Sequence, residues 1–325
     1  MTDFTILLPV YNGEKYIERA ILSILNQQYE KYKLYIINDG STDMTLQICE
    51  RITSGNENVE IINKPNGGLA ESRNVAIRLA ESRNIGTKVV WIDADDELAP
   101  GILNELNSIF MANPQCDAVC YDYDLIVDNK IVNNKYISQR FEKNGLIDGE
   151  CFLQKVLIGD INNYMWAFAA DIKCYNQISY PVGKNYEDLA TLYKIANNVG
   201  TAYISYFKGY KYYIDNPNSL SKNFTVHDAW NLLDIIDEVD DYLDNRYKDY
   251  YSIFQAIYLI NIIISLSDKS KNDTGEILSA TIKRFSYVKR NLKYNCYKQS
   301  RYYYKIILMK LNLILPIYKI KGKLM

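Results

Sequence analysis

The cysteines of this sequence are not spaced for a scaffold or a metal knuckle. The six, Cys49, Cys116, Cys120, Cys151, Cys174 and Cys296, contain no Cys-x-x-Cys pair. That excludes a zinc knuckle and a disulfide framework, and it fits a reducing compartment. Histidine is almost missing: His227 stands alone just before a helical pattern, where it reads as a surface or capping residue rather than a metal ligand. No basic segment followed by a long apolar stretch opens the chain, so a secretory signal is not expected. No run reaches the roughly 18 apolar residues a spanning helix needs; even 306–315 is broken by Lys310 and Asn312. Repeats, low-complexity tracts and Pro/Gly-rich linkers are absent too. The chain does have 325 residues, 48% apolar and 23% charged. That is too apolar for disorder and enough for a catalytic domain of about 200–250 residues with an appendage.

Net charge is nearly absent as well, at −2, but the balance conceals a division. Residues 277–325 hold 12 Lys and Arg and no Asp or Glu, leaving 25 basic against 39 acidic residues in the first 276. An acidic body carries a basic tail.

The first 130 residues alternate between two periods. Phe4-Thr5-Ile6-Leu7-Leu8 is a short apolar run of the kind a strand buried on both faces shows. Ile17, Ala20, Ile21, Ile24 and Leu25 then recur at helical spacing. Leu34-Tyr35-Ile36-Ile37 predicts a second strand, and Ser41-Thr42-Asp43 supplies capping residues for a helix to about Thr53. Val59-Glu60-Ile61-Ile62 predicts a third, followed by the turn Pro65-Asn66-Gly67-Gly68 and a helix to about Ser82. Lys88-Val89-Val90-Trp91-Ile92 predicts a fourth, ending in Asp93-Ala94-Asp95-Asp96. The class is α/β: a doubly wound, mainly parallel sheet with a Rossmann-like nucleotide-binding half. Ligands of such sheets sit at the carboxyl ends of the strands, which makes 9–14, 38–43, 63–68 and 93–97 one candidate site. Further strands are expected over 117–121 and 203–213. Helices follow from His227, with Trp230 on an apolar stripe and therefore expected in the core. The division is expected near residue 225, giving 1–225 as the catalytic domain and 226–325 as a helical region with the basic tail.

With 24 Asp in the chain, Asp-x-Asp arises about twice by chance, and it occurs twice. Asp93-x-Asp95 ends an apolar strand at the mouth of the candidate site. Asp122-x-Asp124 has no glycine turn or helix cap beside it and reads as loop or strand-end carboxylates.

Five blocks in order resemble the successive motifs of glycosyltransferase family 2. They are Pro9-Val10-Tyr11-Asn12; Asn38-Asp39-Gly40-Ser41-Thr42-Asp43; Asn66-Gly67-Gly68 with Ala70, Arg73 and Asn74; Trp91-Ile92-Asp93-Ala94-Asp95-Asp96; and Tyr186-Glu187-Asp188. The resemblance implies a GT-A fold and an inverting, non-processive transferase, because the chain lacks both spanning helices and a Gln-x-x-Arg-Trp motif. It implies a site in which Pro9, Tyr11, Asn12 and Glu14 wall the nucleotide. Asp39 accepts the N3–H of uracil or thymine, and Asn66, Gly67, Gly68, Arg73, Asp93 and Ala94 line the nucleotide-sugar. Asp95 would hold Mn²⁺ or Mg²⁺, for which hard oxygen ligands suit. Asp188 is the expected base and Glu187 the runner-up; Trp166 would face the acceptor. Two departures matter. Phe168 and Ala169 stand where the family often has a Lys, and Ile214-Asp215 where it often has an Arg. Asn218-Ser219-Leu220-Ser221 fits the family's closing loop.

The implied partners are a UDP-sugar or dTDP-sugar donor and a glycan or lipid-linked glycan acceptor. Residues 283–325 mix basic with aromatic and apolar side chains, as peripheral contact with an anionic membrane requires. The same residues could pack on the acidic body or form a homo-oligomer interface. A cytoplasmic enzyme at the inner face of the membrane is expected, and no nucleic acid partner, since an acidic body repels phosphate backbones. The rival classes are a sugar-phosphate nucleotidyltransferase, whose glycine-rich basic signature 9–14 lacks, and a catalytically inactive relative of the transferases.

Overall fold

The computed structural model describes residues 3–83, 87–132, 140–214, 224–266, 271–293, 298, 300 and 302–311. The closing loop at 218–221, Asp215 and the tail beyond 311 lie outside the described residues.

The chain divides into two compact units, one of residues 1–152 and 163–219, the other of 153–162 and 220–325. The first is built on strands that the apolar runs dictate. β1 (Phe4–Val10) is buried along its whole length. It pairs in parallel with β2 (Tyr32–Asn38) and β4 (Lys88–Trp91), and β2 pairs in parallel with β3 (Val59–Asn63). Helices α1 (Ile17–Leu25), α2 (Thr45–Thr53) and α3 (Leu69–Arg83) provide the crossovers. α1 buries Ile17, Ala20, Ile21 and Ile24, the stripe its spacing predicts. Asp43 accepts the N–H of Thr45 at 3.0 Å, so the capping signal sits two residues ahead of α2.

Register makes the site. Val10 lies opposite Asn38, Asn38 opposite Asn63, and Leu7 opposite Trp91. The carboxyl ends of all four strands, and hence their loops, therefore meet at one sheet edge.

Beyond β4 come the two-residue β5 (Glu97–Leu98), α4 (Ile102–Ala112), β6 (Ala118–Val127), β7 (Lys130–Val132), β8 (Gly145–Asp148) and α5 (Gly149–Leu157). β9 (Phe168–Asp171), α6 (Leu189–Asn197) and β10 (Thr201–Tyr213) complete the unit, in sheet order β3-β2-β1-β4-β9-β6-β10-β5. β9 runs antiparallel between β4 and β6, and β10 pairs in parallel with β6. The run 203–213 is one strand with register shifts between Ile204 and Tyr210. Asp122 and Asp124 lie inside β6 rather than in a loop, and Lys208 pairs with Asp124 at 2.8 Å.

The second unit holds α7 (Val226–Tyr242), α8 (Lys248–Leu266), α9 (Lys271–Asn291) and α10 (Tyr303–Lys310). α7 starts with a capping box between Thr225 and Asp228. It buries Ala229, Leu232, Leu233, Ile236 and Val239, while Trp230 sits on the flank of that stripe and is 39% exposed. The expectation of a core Trp230 is thus corrected. The stretch Asn245–Leu266 is long and apolar enough to cross a membrane by length and composition, yet 61% of its apolar window is buried, as in a core helix. His227 is exposed at the start of α7.

Candidate active site

The first two loops are tied together by side chains whose types the sequence already singled out. Asn12, at a left-handed φ of 48°, accepts the N–H of Thr42 at 2.8 Å, and its own N–H reaches Ser41 Oγ at 3.0 Å. Glu14 accepts the N–H of Met44 at 3.0 Å while its N–H donates to Asp43 at 3.1 Å. Gly13 donates to Thr45 Oγ1 at 2.8 Å, and a Cβ there would lie 2.8 Å from Val10 Cγ2. Asn12 and Glu14 therefore spend these acceptor oxygens on loop backbone. Pro9 is buried within β1, so of the expected walls Tyr11 is the open ring, 51% exposed.

Asp39 is buried, 2% exposed just past the end of β2. Its carboxylate accepts the N–H groups of Gly67 at 2.9 Å and Gly68 at 2.8 Å, and a third bond from the ammonium of Lys64. Asn66 Nδ2 donates to the Asp39 carbonyl at 3.0 Å. Asn66, Gly67 and Gly68 thus act on Asp39, and Gly40 lets them: its φ is +70°, and a Cβ would lie 2.7 Å from Asn66 N. Sequence reasoning missed Lys64, since one lysine before a turn carries no signal.

The acidic loop after β4 is held by β10. Tyr210 accepts the N–H of Asp93 at 3.0 Å and donates to Asp96 Oδ2 at 2.9 Å, while Tyr213 N–H reaches Asp96 Oδ1 at 2.8 Å. Asp96 is wholly buried, and that burial, with Asp95 and Asp93 beside it, drives its carboxyl far up from the ordinary range. Asp93 is pushed up to about 6 by burial, which the Arg73 guanidinium opposes and Asp95 and Glu187 reinforce. Ala94 and Asp95 are half-buried between them. The Asp95 carbonyl accepts from Arg19, whose guanidinium lies 3.5 Å from the Tyr213 ring centroid and 3.3 Å from Glu97.

Arg73 was expected beside the nucleotide. It is 1% exposed and gathers three carboxylates: Asp93 at 3.3 Å, Glu187 at 2.9 Å and Asp188 in direct contact. Its own burial would favour deprotonation, but Glu187 and Asp93 outweigh it and hold the charge. Glu187 and Asp188 immediately precede α6, and Asp188 Oδ2 accepts the N–H of Met165 at 3.1 Å. Tyr186, just before them, has a left-handed φ of 65°, a conformation that costs energy in a non-glycine residue. Asn74 fixes the approach to this turn, donating to the Tyr180 carbonyl at 2.9 Å and accepting the Tyr180 N–H at 2.7 Å.

Trp166 faces other rings rather than open space. It is 2% exposed and stacked between Tyr164 (4.8 Å, 10°) and Tyr210 (4.3 Å, 3°), leaving Tyr164, 37% exposed, as the outer ring. Phe168 and Ala169, where a family Lys often stands, are buried in β9.

Among the described residues no three His, Cys, Asp or Glu side chains are grouped as a metal cage. The donor set nonetheless suits a hard divalent cation. Asp93 and Asp95 follow β4 as hard oxygen donors, and positive charge beside them would offset the burial, and the smaller repulsion from Asp95 and Glu187, that raise Asp93. Few protein ligands suffice when phosphates and water complete the shell.

Residues 5–170 match the family model described as Glycosyl transferase family 2, half of the chain. The chain belongs to this family. An uncharacterized glycosyltransferase of Haemophilus influenzae is 27% identical over 190 residues, covering 56% of this chain and 58% of that protein. The chondroitin synthase of Pasteurella multocida is 41% identical over 96 residues, which cover 30% of this chain and 10% of the synthase. The matched region thus spans less than two thirds of either relative's length. Of solved structures, S. aureus TarS 1–349 superposes with a TM-score of 0.67 at 17% identity, covering 99% of this chain and 92% of that one. The same protein in complex with UDP-GlcNAc gives 0.66 at 16% identity, covering 99% and 92%. This likeness establishes the GT-A fold of the glycosyl transferase family 2 chain.

Proposed function

We propose that this chain is a metal-dependent, inverting glycosyltransferase that moves one sugar from a UDP-sugar to a hydroxyl of a glycan or lipid-linked glycan in surface polysaccharide synthesis. The observation that carries the reading is the convergence on Arg73. One buried guanidinium gathers Asp93, from the end of β4, with Glu187 and Asp188, from the turn before α6. Asp93 follows β4 at the same sheet edge at which Asp39 follows β2. The crystallised complexes of TarS with UDP-GlcNAc and with UDP support a uridine nucleotide as donor. The mannosyltransferase of Pyrobaculum calidifontis, in complex with GDP-Man and Mn²⁺ at a TM-score of 0.55, supports a divalent cation.

In this reading Asp39 accepts the N3–H of the base and Tyr11 offers its ring to it. Asp95, with Asp93, would hold Mn²⁺ or Mg²⁺, whose charge would offset the negative charge growing on the departing diphosphate. A sugar hydroxyl attacks the anomeric carbon from the side opposite the diphosphate. Its proton passes to Asp188, and the sugar–phosphate bond breaks with its electron pair left on the diphosphate. A single displacement inverts the anomeric configuration and needs no nucleophile from the chain. Arg73 sets the positions of Asp93, Glu187 and Asp188, with Glu187 as the second candidate for the base. Peripheral membrane contact through 283–325, at the cytoplasmic face, is the accompanying proposal.

The test is thermal. UDP with Mn²⁺ should raise Tm more than CMP or GDP does, since ligand at about 100 times its Kd stabilises the native state by roughly 2.7 kcal/mol. Equal shifts for the three nucleotides would remove the base-selecting role of Asp39, and no shift with UDP would remove the donor.

A further inference from the structure

Asp39 is enclosed and hydrogen-bonded by groups of its own chain. Its side chain is 3% exposed and receives three N–H donors, from Gly67, Gly68 and the Lys64 ammonium. Oδ1 takes Gly67 and Lys64 while Oδ2 takes Gly68 alone, so one lone pair remains. The carboxylate is so enclosed, however, that a nucleobase N–H reaches it only if a neighbouring donor leaves. Two of the three belong to backbone that cannot move independently. The turn 66–68 is pinned by Asn66 Nδ2 on the Asp39 carbonyl and by the close approach of Gly40, where even a Cβ would lie 2.7 Å from Asn66 N. The third donor sits on a rotatable four-carbon stem. The backbone of Lys64 is anchored, its N–H donating to the Asn38 carbonyl at 3.0 Å, so only the side chain is free to swing. Its ammonium also donates to the Pro65 carbonyl at 2.9 Å, an acceptor that does not depend on Asp39.

We propose that Lys64 occupies the seat of the nucleobase N–H on Asp39 and must vacate it for the donor nucleotide to bind, so that this lysine weakens nucleotide affinity and sets the threshold for binding. The inference rests on Asp39 as the base-reading carboxylate. Its physical content is a competition between two donors for one buried acceptor. Keeping the carboxylate paired avoids the cost of a buried, unsatisfied charge while the pocket is empty. The cost appears in the apparent affinity, which falls by the fraction of molecules whose seat is open.

The experiment measures UDP binding to the full chain by calorimetry with Mn²⁺ present, for wild type, Lys64→Met and Lys64→Leu. If the seat is closed in about nine molecules of ten, either variant binds UDP about tenfold more tightly. UDP methylated at N3, which has no N–H to exchange, should show no such gain. Acetylation of Lys64 in the wild type, followed by mass spectrometry, should speed up at saturating UDP as the ammonium is released. Lys64→Leu, which likewise has no donor, keeps the competition measurable if the Met variant does not fold. UDP binding that is unchanged or weaker in the folded variants, or an acetylation rate that stays the same or falls with UDP, overturns the inference alone. Wild-type chain that does not bind UDP overturns the base-reading role of Asp39 and the inference with it.

Discussion

One side chain carries more of the site than any motif letter suggests. Arg73 sits on α3, remote in sequence from Glu187 and Asp188, and without it three carboxylates would face one another in a buried place. Arg73→Met should therefore cost about 3–5 kcal/mol, as removal of one partner from buried ion pairs does, and should lower Tm in calorimetry. A stability loss within the noise would mean that the carboxylates rearrange freely, and the convergence would lose its meaning. Asp188→Asn is the contrasting case. It is isosteric and keeps an oxygen for the Met165 N–H, so UDP affinity should stay near that of the wild type. Turnover should fall about 10²–10⁴-fold, the usual share of a positioned base. Normal turnover would transfer the role to Glu187. The buried thiols supply a separate check: burial pushes Cys49 and Cys174 up to about 12 and Cys116 up to about 11. Raised values keep these thiols protonated at neutral pH, and they should resist alkylation in the native chain at pH 8, whereas half-buried Cys151 should react before them.

At the scale of elements, the site is a set of loops locked to each other more than to any single strand. α3 meets the segment before the acidic turn through Asn74, whose amide makes both hydrogen bonds of the Tyr180 backbone. Asn74→Ala removes two bonds of about 0.5–1.5 kcal/mol each. Its effect should divide: donor affinity near normal, because Asp39 and its turn are untouched, and transfer rate reduced, because the turn holding Asp188 loosens. Equal losses in both would show that α3 supports the whole site. The same elements mark what a sequence can convey. β1 to β4 and their crossover helices were legible because apolar runs and 3.6-residue stripes are local signals, and the carboxyl-edge site followed from their parallel order. The long β10 was legible only as strand-like residues. Its role, presenting Tyr210 and Tyr213 to Asp96, depends on register with β6 and on shifts that no periodicity encodes. Lys64 and Arg19 were invisible because a lysine or arginine declares its partner only after folding. Asn12 and Trp166 were given their roles by the resemblance alone, and their side chains meet backbone and rings within the protein.

For the molecule as a whole, the uneven charge of the chain is partly resolved inside the second unit. Arg284 of α9 pairs with Asp237 of α7 at 2.5 Å, and Lys293 with Asp249 of α8 at 2.8 Å. Part of the basic segment thus packs on acidic helices, an alternative its composition had left open. Both pairs are partly exposed, so each is worth at most about 1 kcal/mol, and α9 is held mainly by its buried Ile277, Phe285 and Val288. What remains on its outer side is a different combination: Lys283 and Arg290, both exposed, with Ile282 39% and Tyr287 66% exposed. Apolar and aromatic side chains flanked by cations suit an anionic lipid surface. Truncation at 277 would remove α9 and its buried residues, so its result would confuse unfolding with lost attachment. Lys283→Gln with Arg290→Gln avoids this, since neither side chain is buried. At about 1 kcal/mol per basic residue near a charged bilayer, the double variant should partition into phosphatidylserine vesicles roughly 30-fold less than the wild type, with Tm unchanged. The wild type should detach as salt is raised. Equal sedimentation of the two proteins would move the contact away from α9, and a wild type that stays in the supernatant at low salt would end the membrane proposal.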